Sequence, residues 1–132
     1  EIDIHYSTVK SSYINLISTK VTINKTVYKL DGSVFDDHRP RLVNILGREM
    51  EVTPRGTLLL VENNDVPGVI GNVGTLLGNL NINIAAYLLN RSGEEGKAFA
   101  VIRVDNHLSN DDLNKLSEIQ DIQLVNQIHL SN

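Results

Sequence analysis

Asp65 is the side chain whose surroundings point most directly to ligand chemistry. It lies in Asn63-Asn64-Asp65-Val66-Pro67-Gly68, between the apolar run Leu58-Leu59-Leu60-Val61 and a stretch in which apolar residues recur at helical spacing. A strand should therefore hand over to a helix beside Asp65. A helix start carries N–H groups with no intrahelical partner and the positive end of the macrodipole. Pro67 suits the first helical turn, and Gly68 leaves those N–H groups open to an incoming anion. An α-amino acid has an ammonium that suits Asp65 and a carboxylate that suits the helix start. Asn83, at the start of the next strand, can exchange a hydrogen bond with a polar ligand group. The competing reading is structural: Asp65 caps the helix and the asparagines make a turn.

Catalytic constellations are missing. His5, His38, His107 and His129 are scattered, with no pair at the i, i+4 spacing of a metal site. No Gly-x-Ser-x-Gly elbow occurs. The chain has no cysteine, which removes disulfides, thiolate metal sites and iron–sulfur clusters from its repertoire. Enzymatic activity, a cofactor and a metal are therefore not expected in this segment. Gly68, Gly71, Gly74 and Gly78 follow a strand but fit neither Gly-x-Gly-x-x-Gly nor a Gly-Lys-Ser/Thr phosphate loop. The last three are spaced by three and four, so they neighbour one another on a helix surface. Tight packing of that helix on its sheet, or against another subunit, is the expectation.

The elements that must hold Asp65 and Asn83 can be read from periodicity. An apolar strand covers residues 57–63. Val69, Ile70, Val73, Leu76, Leu77 and Leu80 form one helical face. A strand over 82–90, a polar loop over 91–96 and a strand over 97–105 follow, the last with Ala98, Ala100, Ile102 and Val104 on one face. Ser109 then Asp112 resembles a capping pattern opening a second helix, whose apolar face is Leu113, Leu116 and Ile119. Ile122, Leu124 and Ile128 belong to a last strand, its alternation interrupted by Val125. The order β-α-β-β-α-β is the ferredoxin-like plan, two helices on one face of an antiparallel sheet. Such a small domain has bare sheet edges and an open sheet face that invite a partner.

Residues 1–56 read as strands joined by turns: 13–23 with Val27 and Tyr28, then Ser33-Val34-Phe35, then 41–46 and 49–52 as a hairpin around Gly47-Arg48. Asp31-Gly32 is a turn signal. No helical stripe covers these strands. The overall class is α+β. The two parts also differ in charge: residues 1–56 carry 8 Lys/Arg against 7 Asp/Glu, residues 57–132 carry 4 against 9. That shift marks a domain boundary near residue 56. The net charge of −4 gives no basic field for nucleic acid. No apolar run is long enough to span a membrane, no signal peptide is visible, and a cytoplasmic setting is the default. The first residue is Glu1 rather than Met, so a piece of a longer protein is expected.

The same residues carry a resemblance. Asp65-Val66-Pro67-Gly68-Val69-Ile70-Gly71, followed by Asn81-Ile82-Asn83-Ile84-Ala85, resembles the signature of ACT domains in its strand–helix–strand setting. Upstream, Tyr13-Ile14-Asn15-Leu16-Ile17, Gly32-Ser33-Val34-Phe35, Pro40-Arg41-Leu42-Val43-Asn44-Ile45 and Gly47-Arg48 resemble the end of the intervening domain of long-form D-3-phosphoglycerate dehydrogenases. The resemblance implies a partial intervening domain of the allosteric substrate-binding type over 1–56 and an ACT domain over 57–132. Catalytic and NAD-binding domains would lie upstream in the parent enzyme.

It also implies that L-serine, the end product of the pathway, binds between ACT domains that pair side by side in a homo-oligomer, and inhibits the enzyme. Carried over, Asn63, Asp65, Gly68, Val69 and Ile70 come from one subunit and Asn83 from its partner. Arg41 and Arg48 match basic positions of an anion site in the intervening domain, while Glu49 and Thr53 depart from it. Two other readings compete. One is an assembly module without effector response. The other is the regulatory subunit of an iron–sulfur L-serine dehydratase, whose Gly-Pro-Ser-Ser-Ser-His-type stretch is not found here.

Overall fold

A computed structural model describes residues 2–8, 17–23, 26–34, 40–45, 48–91 and 93–130, and the side chains of 31–33, 43, 45, 50–91 and 93–130. The chain forms two compact units, Glu1–Pro54 and Arg55–Asn132.

The first unit is an antiparallel sheet whose strands neighbour one another in chain order: β1 (Ile2–Thr8), β2 (Ile17–Ile23), β3 (Thr26–Val34), β4 (Pro40–Ile45) and β5 (Arg48–Val52). β1 lies outside the strands expected from sequence, although Ile2, Ile4 and Tyr6 alternate with other residues. Asp31-Gly32 does not turn. Both residues lie inside β3, paired in regular register with β2, and the register shift towards β4 leaves Val43 of β4 as the extra residue. Ser33 and Val34 continue the same strand rather than starting a new one. β4 and β5 pair antiparallel, Ile45 opposite Arg48, as a hairpin there requires. Tyr13, Ile14, Asn15, Leu16, Phe35, Leu46 and Gly47, which carry parts of these expectations, lie outside the described residues.

The second unit contains β6 (Gly56–Asn64), α1 (Val69–Asn79), β7 (Ile84–Asn90), β8 (Lys97–Val104), α2 (Asn110–Ser117) and β9 (Ile122–Leu130). Its sheet has the order β7-β8-β6-β9, antiparallel throughout. This is a small α+β domain compatible with the ferredoxin-like plan. Leu59 and Val61 of β6, Ala100, Ile102 and Val104 of β8, Val69, Val73 and Leu77 of α1, Leu108, and Leu116 of α2 form one buried cluster. Each fully buried aliphatic side chain contributes about 1.5–3 kcal/mol, which lets a core without tryptophan hold the unit together. Ser109 caps α2 as its sequence indicates, its Oγ accepting from the Asp112 N–H at 3.1 Å.

Two expectations need correction. Ile70 is not part of the buried helical face; it is 51% exposed, because α1 buries only the narrower stripe of Val69, Val73 and Leu77. Pro67 precedes the helix, since Gly68 is the N-cap and Val69 the first helical residue.

The edge strands explain the irregular patterns. Ile84 faces Val104 and Ala86 faces Arg103, so Ala85 is an extra residue in β7. Likewise Ile122 faces Asn63 and Leu124 faces Glu62, so Gln123 is extra in β9. Each bulge shifts the phase of a strand once. That is how Ile122 and Val125, three apart, both pack on the core while Leu124 is exposed.

A Cβ added at Gly71, Gly74 or Gly78 would meet nothing within 4 Å. These glycines therefore do not seat α1 on its own sheet. Gly68 has a different reason to be glycine, a φ of +94°. In the dilute chain, Gly74→Ala should raise the thermal midpoint, because glycine inside a helix costs about 0.5–1 kcal/mol relative to alanine. Gly68→Ala should lower it, because a left-handed L-residue costs roughly 1–2 kcal/mol. Parallel melts of the two variants read the opposite signs. No helix among the described residues is long and apolar enough to cross a membrane.

Candidate functional site

Asp65 leaves β6 at the end of the sheet where α1 begins. Its N–H donates to the Gly96 carbonyl at 2.9 Å, tying the β6–α1 connection to the loop between β7 and β8. Its carboxylate does not cap α1, which has no side-chain cap. Instead Oδ2 accepts from Arg91 Nε at 2.7 Å. Arg91, the first residue after β7, has a side chain 70% exposed against 27% for Asp65.

The helix start is open. The Asn72 N–H reaches back to the Gly68 carbonyl at 2.9 Å, which leaves the N–H groups of Val69, Ile70 and Gly71 without intrahelical partners. No acidic side chain lies in the first turn to offset the positive end of this dipole. Val69 buries its side chain in the core and can offer a ligand only its backbone, whereas the Ile70 side chain is at the surface.

Asn63 is 4% exposed. It sits opposite Ala98 on β8, and its Nδ2 donates to the Asn64 carbonyl at 2.7 Å. It therefore lies within the strand rather than in a turn. Asn83 precedes β7 at the other end of the sheet. Its Nδ2 donates to Asp105 Oδ2 at 2.8 Å and its carbonyl accepts the Asp105 N–H at 3.1 Å. At about 3.3 Å per residue, roughly 25 Å of β7 separates Asn83 from Arg91. One chain therefore brings Asp65 and Arg91 together but does not bring Asn83 to them.

Sequence reasoning missed Arg91 as the partner of Asp65, and it missed the role of Asn64. Its Oδ1 accepts from Lys97 Nζ and from Gln123 Nε2, both at 2.9 Å, and its Nδ2 donates to Asp121 Oδ1 at 3.0 Å. Its N–H donates to the Asp121 carbonyl at 2.8 Å. One amide thus joins β6, β8, the turn before β9 and the β9 bulge immediately beside Asp65. Only the strand pairing reveals this, because the partners lie far apart along the chain.

Burial pushes the Tyr87 phenol on β7 above its ordinary pKa. His107 and His129 make structural bonds, to Gln127 Nε2 at 3.0 Å and to Thr57 Oγ1 at 3.1 Å. Among the described residues no group of three or more His, Cys, Asp or Glu is arranged to hold a metal ion. Arg41 and Arg48 pair through their backbones opposite Ser33 and Ile45, but their side chains lie outside the described residues, as do those of His5 and His38.

No family model matches the chain. It is 33% identical over 124 residues to a D-3-phosphoglycerate dehydrogenase of Bacillus subtilis, covering 94% of this chain and 24% of that relative. A D-3-phosphoglycerate dehydrogenase of Methanocaldococcus jannaschii is 28% identical over 124 residues, with the same coverage. One of Archaeoglobus fulgidus is 32% identical over 125 residues, 92% of this chain and 24% of the relative. The chain spans about a quarter of the length of these curated relatives, matching their C-terminal region.

Proposed function

This chain is homologous to the C-terminal region of D-3-phosphoglycerate dehydrogenases, and on that premise we propose that it is the regulatory end of such an NAD-dependent, cytoplasmic enzyme, with an ACT domain that binds L-serine for feedback inhibition. The observation that carries this reading is a carboxylate, Asp65, held beside an uncapped helix start. Together they offer a negative and a positive partner to the two charges of an amino acid.

Asn83 joins the site through a second copy. β7 is an edge strand, with Leu88 and Leu89 partly exposed on it and Ile70 exposed on α1. Antiparallel pairing of β7 with its own two-fold copy along its whole length, centred on Tyr87, sets residue 83 of one chain opposite residue 91 of the other. The two polar ends that lie apart within a protomer then meet across the axis. The sheets become one, and two equivalent effector sites form at the homodimer interface. The first unit is read as the end of the intervening domain, with Arg41 and Arg48 as its anion-binding pair.

Isothermal titration of the chain with L-serine, with glycine and L-alanine as controls, tests this. Binding of L-serine in preference to the controls is expected, and no heat at millimolar L-serine overturns it. A second reading, an assembly module without effector response, is favoured by one observation: Asn63, Asp65 and Asn83 all have partners within their own chain. Sedimentation with and without L-serine separates the two, because only an effector bound at the interface shifts the association equilibrium.

A further inference from the structure

The Asp65–Arg91 ion pair places a cation where the proposed ligand's own cation should go, and that has a consequence for selectivity. We infer that Arg91 makes the site select zwitterions over simple amines, an inference that rests on the amino-acid-binding reading above. Arg91 engages Oδ2 of Asp65 through Nε at 2.7 Å, with its side chain 70% exposed.

A simple amine arriving at Asp65 meets a guanidinium already there. It must share or displace that partner and leaves the arginine's charge uncompensated. A zwitterion meets no such penalty. Its ammonium takes the carboxylate of Asp65 while its own carboxylate takes the planar fork of Arg91, beside the free N–H groups of α1. Ion pairs are exchanged and no charge is left over. The fold does not require the pair, because an ion pair with its arginine 70% exposed contributes little to stability. Arg91 also stands at the end of β7 that a two-fold copy's Asn83 would face, so it belongs to the same proposed pocket.

The test titrates the full chain and its Arg91→Ala and Arg91→Lys variants with L-serine and with ethanolamine, which is serine without its carboxylate. Preference for L-serine over ethanolamine should fall roughly tenfold or more in Arg91→Ala, the scale of one charge-assisted hydrogen bond, and should be largely kept in Arg91→Lys. Arg91→Gln supplies the ratio if circular dichroism shows the alanine variant unfolded. A wild-type chain that prefers L-serine by the same factor as Arg91→Ala overturns the inference and leaves the amino-acid site standing. A wild-type chain that binds neither compound overturns the proposed function and this inference with it.

Discussion

Asp65→Asn is expected to weaken L-serine binding by about 10- to 150-fold while leaving the thermal midpoint of the ligand-free chain within a few degrees of wild type. A hydrogen bond to a charged group is worth about 1.5–3 kcal/mol, and the asparagine keeps the shape of the side chain but not the charge that attracts an ammonium. The fold is expected to be insensitive because the lost interaction is an ion pair whose arginine is 70% exposed. The backbone bond from Asp65 to Gly96 does not depend on the side chain. Titration calorimetry and a melt of the same sample read both halves. Unchanged affinity would place the ammonium elsewhere; a collapsed fold would make Asp65 structural.

The second large effect is on stability. Leu77 is fully buried in the core against both sheet and helices, and its carbonyl accepts the Ile82 N–H at 2.9 Å, anchoring the α1–β7 connection. Leu77→Ala should destabilise the unit by about 2–5 kcal/mol, the lost burial plus the cavity left behind. Since a whole domain is stable by only about 5–15 kcal/mol, this one substitution can remove a large share of the total. Urea denaturation measures it, with the half-exposed Leu124→Ala as a control that should stay within about 1 kcal/mol. A Leu77→Ala curve that overlays the control would mean that α1 is not packed as described.

Much of the second unit was legible because its signals are local and periodic. The α1 stripe, the Ser109 cap and the apolar β6 and β8 each report their element without distant information. Where reading failed, tertiary context decided. Asp31-Gly32 has the composition of a turn, but sheet pairing on both sides kept it extended. Ile70 has the right spacing for the core, yet α1 buries only the stripe of Val69, Val73 and Leu77. The glycines of α1 were expected to seat a close contact with the sheet or with another subunit, and among the described residues nothing approaches Gly71, Gly74 or Gly78. At the candidate site, Asp65 and the helix start were visible in sequence, while Arg91 and Asn64 were not. Their partners lie 26 residues away for Arg91 and 33, 57 and 59 for Asn64. Only the β6–β8–β9 register and the β7–β8 loop bring them together.

The bulges at Ala85 and Gln123 give each edge strand one residue of slack, and slack has a location. Deleting Ala85 would convert the bulge to a regular ladder and keep Ile84 and Tyr87 on the same side, whereas deleting Leu88 would turn half of the strand inside out. Shortening is thus tolerable at one point per edge and ruinous a few positions away. In β9 even the spare residue is employed: without Gln123 the ladder would close, but Asn64 would lose one of the two donors that its amide oxygen accepts.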